Sequence, residues 1–307
     1  MLATPRFHHL HLNATDPDAA IGFYTRQFPS TAAGTWAGHK ALLSPHNVMI
    51  LFDRVDAPPP VSPQSAIWHF GWHVTDVRGN IEAYKTRSEV ALRPLYTTDA
   101  GGFVLINSDT WPAPKGKAPG LTRAQIAEAM AANVQPPGGG GFAYMDGPDG
   151  ALVEYVGDFP AEHFDHVHLW QEDPFAALDW YQTHLNAPVR PGFTPPTPAE
   201  RAVKRGPDKS WPSLTQDGMF REPRAGVVFG DVVLTWYGNQ WEQPLAPSRG
   251  QLQDHFAFAV EDLDAWEAKL RAESVTFLEP PYQLGHTRAF MIEGPSREAI
   301  EIVEVKS

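Results

Sequence analysis

The stretch Asp165-His-Val-His-Leu-Trp-Gln-Glu-Asp173 decides the fold, because its pattern occurs four times in one register. The other copies are Phe7-His-His-Leu-His-Leu-Asn-Ala-Thr-Asp16, Trp68-His-Phe-Gly-Trp-His-Val-Thr-Asp76 and Asp254-His-Phe-Ala-Phe-Ala-Val-Glu-Asp262. In each, a histidine (His9, His69, His166 or His255) stands seven residues before an Asp. Eight residues after that Asp come Tyr24, Tyr84, Tyr181 and Leu270. Four matches at fixed offsets mark an internal repeat.

One copy already specifies local structure. His255, Ala257 and Ala259 alternate with Phe256, Phe258 and Val260, the period of a strand with one apolar side. Likewise His9, His11 and Asn13 oppose Leu10, Leu12 and Ala14. Asp16-Pro17 and Asp173-Pro174 then read as an N-cap followed by proline in the first helical turn. Ile21, Tyr24 and Phe28 recur at helical spacing, as do Leu178, Tyr181 and Leu185. The helix covers the apolar strand face, and the histidines face the other way. Later strand candidates, such as Val48-Met-Ile-Leu-Phe52 and Ala299-Ile-Glu-Ile-Val303, complete a βαβββ unit used four times.

The even units share a second motif. Gly147-Pro-Asp-Gly-Ala-Leu-Val-Glu154 and Gly294-Pro-Ser-Arg-Glu-Ala-Ile-Glu301 each place a Glu seven residues after a turn glycine. The odd units lack it, so pairing odd with even predicts two domains, residues 1–160 and 161–307, joined near Asp158-Phe-Pro160. Two insertions interrupt the symmetry. Residues 104–141 include a capping-box start at Thr122-Arg-Ala-Gln125 and a helix from Arg123 to Val134, whereas residues 191–224 are rich in Pro, Lys and Arg. Either insertion suits a lid, a binding loop or simply tolerated surface.

Composition narrows the chemistry. The 307 residues carry a formal charge of −12, which argues against a nucleic-acid partner. The absence of cysteine excludes thiol nucleophiles, thiolate metal sites and disulfides. No apolar run is long enough to span a membrane. The composition predicts a cytoplasmic protein, with a periplasmic or secreted location compatible if an export signal was removed. Both a monomer and a homo-oligomer fit.

Paired βαβββ units with a His in each first strand and a Glu in the last resemble the vicinal oxygen chelate superfamily, which includes glyoxalase I, bleomycin resistance proteins and extradiol dioxygenases. The resemblance implies an α+β fold of four βαβββ modules paired into two open, cup-shaped domains, each holding a divalent metal in its cup. It implies one site from His9, His69 and Glu154, and another from His166, His255 and Glu301. Two imidazoles and a carboxylate with open positions are also the facial arrangement of non-haem Fe(II) enzymes.

The resemblance also separates branches. Glyoxalase I draws a fourth ligand from the last strand of the odd unit. Here that strand offers Ile50, Leu51 and Phe52 or Leu234, Thr235 and Trp236, with Asp53 at a strand end. A three-ligand site points to the dioxygenases, whose Tyr about ten residues before the ligand Glu is matched by Tyr144, whereas Met291 takes that position in the second domain. The expected activity is a non-haem Fe(II) dioxygenase acting on a small phenolic or other bidentate oxygen substrate. The alternative is a redox-neutral isomerase or lyase using Zn, Mn or Ni. Tyr144 and the strand-face histidines His11, His73 and His168 are the catalytic candidates. His8, His163 and His184 lack matched offsets and are expected at the surface.

Overall fold

The computed structural model describes residues 2–92, 95–97, 102–104, 131–132, 142–157, 159–191, 195–204, 223–239 and 243–306. All of the predicted helix from Arg123 to Val134 except residues 131–132, and with it most of the first insertion, lies outside the described residues, as does much of the second.

All four repeats begin as predicted. The first strands are β1 (Arg6–Ala14), β5 (Ile67–His73), β11 (His163–Gln171) and β14 (Gln253–Val260). Each leads into a helix: α1 (Pro17–Gln27), α2 (Val77–Lys85), α3 (Pro174–Leu185) and α4 (Leu263–Ala272). The repeated aspartates are the N-caps. Asp16, Asp76, Asp173 and Asp262 accept hydrogen bonds from the amides of Ala19, Gly79, Phe175 and Ala176, and Ala265. That satisfies donors that the first helical turn would otherwise leave unpaired. The residues eight positions on are buried, with Tyr24 and Tyr181 fully enclosed.

Module 1 continues with β2 (Ala32–Trp36), β3 (His39–Ser44) and β4 (Val48–Arg54). Module 2 adds β6 (Ala91–Leu92), the β7 (Leu95–Thr97) and β8 (Gly102–Val104) hairpin, β9 (Phe142–Asp146) and β10 (Leu152–Val156). Module 3 adds β12 (Arg224–Phe229) and β13 (Val232–Gly238), with a single bridge from Val189 to Val227 outside the named strands. Module 4 adds β15 (Phe277–Leu284), β16 (Thr287–Glu293) and β17 (Ala299–Glu304).

The pairing of modules differs from the expected one. One sheet runs β15-β16-β17-β14-β1-β4-β3-β2 and joins modules 4 and 1. The other runs β12-β13-β11-β5-β10-β9-β6 and joins modules 3 and 2. Units 2 and 3 are consecutive, and the short link after β10 returns the chain so that β11 lies antiparallel to β5. Module 1 is then closed by the last module, through β1 antiparallel to β14. Both sheets are open rather than closed barrels.

The apolar strand faces and the helices form one continuous core between the two sheets. Phe7 of β1 stacks on Phe164 of β11 at 5.7 Å, and Phe229 of β12 meets Phe258 of β14 at 4.1 Å. Phe28, the C-cap of α1, reaches across from its own sheet and lies on Trp72 of β5 at 4.0 Å. Aromatic pairs of this kind are worth about 0.5–1.5 kcal/mol beyond burial. With the core behind both sheets, the alternate residues of each first strand are left for the opposite face, where the histidines gather.

Candidate metal centres

Sheet register assembles the first centre. In the antiparallel β5–β11 ladder His69 lies opposite His168, and Gly71 opposite His166. In the parallel β5–β10 ladder Gly71 lies beside Glu154. Glu154 and His166 therefore flank a residue without a side chain, and they converge over it. A Cβ placed on Gly71 would stand 2.6 Å from His166 Nε2. Glu154 Oε2 receives hydrogen bonds from His69 Nε2 at 2.7 Å and Tyr144 Oη at 2.8 Å. His166 Nε2 and His168 Nδ1 lie 3.3 and 3.6 Å from the same oxygen.

The second centre repeats this register in the other sheet. His11 lies opposite His255, and Ala257 is flanked by His9 on one side and Glu301 on the other. His9 Nε2 stands 3.4 Å from Glu301 Oε2, and the His11 and His255 rings stack at 4.6 Å. Asp53, at the end of β4, links His11 Nε2 (3.2 Å) to His39 Nδ1 (2.7 Å).

The side chains that could hold an ion are thus His69, Glu154, His166 and His168 in one centre, and His9, His11 and His255 in the other, with Glu301 beside His9. The expected grouping of His9 with His69 and Glu154, and of His166 with His255 and Glu301, is corrected by the strand pairing. Each centre takes its residues from modules 2 and 3, or from modules 1 and 4. His73 joins neither group; its Nε2 contacts Asp165 Oδ2 at 2.9 Å. His8 is buried rather than at the surface, its Nδ1 sharing a hydrogen bond of 2.8 Å with His9 Nδ1.

Two groups escaped the sequence reading. Met291 does stand opposite Glu301, as its offset implied, but Tyr282 from the next strand donates its hydroxyl to Glu301 Oε1. The two centres are therefore alike in having a phenol on the carboxylate. The second group is the aspartate that precedes one histidine in each centre. His166 Nδ1 donates to Asp165 Oδ2 at 2.9 Å and His255 Nδ1 to Asp254 Oδ1 at 2.6 Å. An Nδ1–H held in this way makes Nε2 the nitrogen able to ligate an ion once it carries no proton. The Asp-His dipeptide in modules 3 and 4 was the available signal.

Charge differs between the centres. Burial pushes Glu154 up, but His166 and His69 outweigh it and hold the carboxyl well below the usual range. Burial pulls His166 down, yet Asp165 and Glu154 raise it to about 9. In the other centre burial dominates: Glu301 rises to about 7, His255 falls to about 4, and His9 falls well below its ordinary value.

Several of these buried donor atoms make no hydrogen bond among the described residues: His166 Nε2, His168 Nδ1, His9 Nε2, His255 Nε2 and Glu301 Oε2. Unsatisfied buried polar atoms are costly, and their gathering within each centre is what a cation would relieve. Imidazole nitrogens with a carboxylate suit a divalent first-row ion. The residues present fit such an ion.

Residues 163–302 match the family model described as Glyoxalase/Bleomycin resistance protein/Dioxygenase superfamily. The fold is of the two-domain glyoxalase I type. Among solved structures, glyoxalase I from Zea mays superposes with a TM-score of 0.59 at 15% identity, covering 98% of this chain and 92% of that one. A single-residue variant of the same maize enzyme gives 0.58 at 16% identity, covering 98% and 94%. At such identities the likeness speaks for the fold alone. No curated protein matches the sequence. No described helix is long and apolar enough to cross a membrane.

Proposed function

We propose that this chain is a metal-dependent enzyme of the vicinal oxygen chelate type with two centres, and that it acts as a non-haem Fe(II) dioxygenase on a small phenolic or other bidentate oxygen substrate. The observation that carries this reading is the group of His69, His166 and Glu154 with a further, half-buried imidazole, His168, at its side. Two imidazoles and one carboxylate would hold the ion, leaving a residue free to move protons. His9, His255 and Glu301 would hold a second ion, with His11 in the place of His168.

The bound ion would supply Lewis acidity and, if iron, electron transfer to O2. The chain's own part is orientation and proton handling. Asp165 and Asp254 fix the rings of His166 and His255. Tyr144 and Tyr282 hold the carboxylates by one oxygen each, and either phenol could stabilise negative charge developing on a neighbouring substrate oxygen. Burial, His166 and His69 together lower His168, which keeps it neutral and able to accept a proton from a substrate hydroxyl.

A second reading is a redox-neutral isomerase or lyase using Zn, Mn or Ni. It is favoured by the 3.6 Å approach of His168 Nδ1 to Glu154, which places a fourth donor within the same group. Metal analysis of protein purified without added metal, combined with an oxygen electrode and a panel of catechols and hydroquinones, tests the choice. Iron with oxygen uptake supports the dioxygenase; zinc or nickel with turnover but no oxygen uptake supports the second reading.

A further inference from the structure

Outside both cups, a third cluster of ligating side chains sits where β5 ends and β11 begins. His73 and His163 lie directly opposite each other in the ladder, their ring centroids 5.0 Å apart. Asp165, two residues along β11, reaches His73 Nε2 with Oδ2 at 2.9 Å. One nitrogen of each ring and one carboxylate oxygen lie within 4.8 Å of one another.

The surroundings favour coordination over a simple hydrogen-bond network. The His73 ring lies flat on Phe159, with centroids 3.6 Å apart and planes at 7°, which fixes its plane. His163 Nδ1 points to Ala161 O at 3.3 Å, so its Nε2 is the lone-pair nitrogen. His46 packs on the other side of His163 at 4.8 Å and has its own partner in Asp231. Burial and the neighbouring His73 lower His163, which keeps it neutral. Both imidazoles are partly exposed, leaving an approach from solvent.

We propose that His73, His163 and Asp165 form a third cation site, separate from the two cups, for a divalent transition ion such as Zn(II). Two imidazoles and one carboxylate are a donor set zinc accepts, with water completing a tetrahedron. To bind, His73 moves its proton from Nε2 to Nδ1, so that Nε2 can ligate. The site touches one cup, because Asp165 Oδ2 is also the atom that orients His166. A cation there would draw on the carboxylate that orients a cup imidazole.

The test is equilibrium dialysis of the full chain against Zn(II), counting bound zinc per chain. His163→Ala should hold one zinc fewer than wild type. The Glu154→Ala/Glu301→Ala variant should keep one zinc, and adding His163→Ala should leave none. His73→Gln, run in parallel, guards against a folding defect peculiar to one variant. Zinc should also shield His163 from carbethoxylation in the wild-type chain. Equal zinc counts with and without His163→Ala in both backgrounds, with no shielding, would overturn the site. Failure of the cup reading has a different signature, since the double Glu variant would then bind as much zinc as wild type.

Discussion

Gly71 stands opposite His166 in the β5–β11 ladder, and the missing Cβ is what allows that imidazole to lie beside Glu154. The equivalent place in the other sheet is Ala257, between His9 and Glu301. Gly71→Ala would bring a methyl to 2.6 Å from His166 Nε2 and 2.4 Å from the Glu154 carbonyl oxygen. The substitution should empty the Glu154 centre while leaving the Glu301 centre loaded, so that bound metal falls by one ion per chain. Overpacking of this kind costs about 1–3 kcal/mol, readable as a lower urea midpoint. Full metal content in Gly71→Ala would contradict the arrangement.

The Asp-His pairs give a second prediction. Asp165→Asn and Asp254→Asn should each weaken one centre's metal affinity about 10–100-fold, because the imidazole loses its anionic anchor. Isothermal titration with the metal reads the affinity, and nitrogen-15 shifts of the ring read the tautomer of His166 or His255. Unchanged affinity with an unchanged tautomer would remove any orienting role for these aspartates.

Much of this was legible from one-dimensional spacing. The Asp of each repeat had to cap a helix, and the Tyr or Leu about two turns later had to be buried, since both follow from local geometry. The ligand residues followed from the alternation that turns His9, His69, His166 and His255 away from the core. Their grouping did not. A cyclic run of four similar units can close as first with second and third with fourth, or as second with third and fourth with first. Both closures satisfy the same periodicity, so only the strand pairing decides. Tyr282 was hidden for a related reason: it reaches Glu301 from across β16, with no repeated offset to mark it.

The two phenols should matter alike. Tyr144→Phe and Tyr282→Phe each leave a carboxylate with one donor fewer, and each should cost about 0.5–3 kcal/mol in holding it, the range for a hydrogen bond to neutral or charged groups. Metal dissociation rates from the two centres should rise by comparable factors in the two variants. An effect confined to Tyr144→Phe would restore the unequal roles expected from Met291.

A pH prediction rests on Glu298, which lies outside both centres. It is fully buried, accepting hydrogen bonds from Gln171 Nε2 at 2.9 Å, Tyr181 Oη at 2.8 Å and the Ser296 amide at 2.8 Å. Burial outweighs these bonds and raises its pKa above the ordinary 4.5. A raised carboxyl contributes stability that is fully present below its unfolded value and is lost as pH rises through its folded value. Melting temperature should therefore carry a falling component above about pH 4.5 in the wild type that is missing in Glu298→Gln. Parallel pH profiles for the two proteins would rule this out.

The interleaving of the modules means that cutting the chain midway would not yield two working pieces. Residues 163–302 match the family model, yet they contribute one module to each sheet. Expressed alone, that half would carry His166 and His168 without Glu154, and His255 and Glu301 without His9. It would also present two raw sheet edges, β11 and β14, of the kind that recruit another strand. The halves are therefore complementary fragments: mixed together, they should rebuild both centres at once or neither.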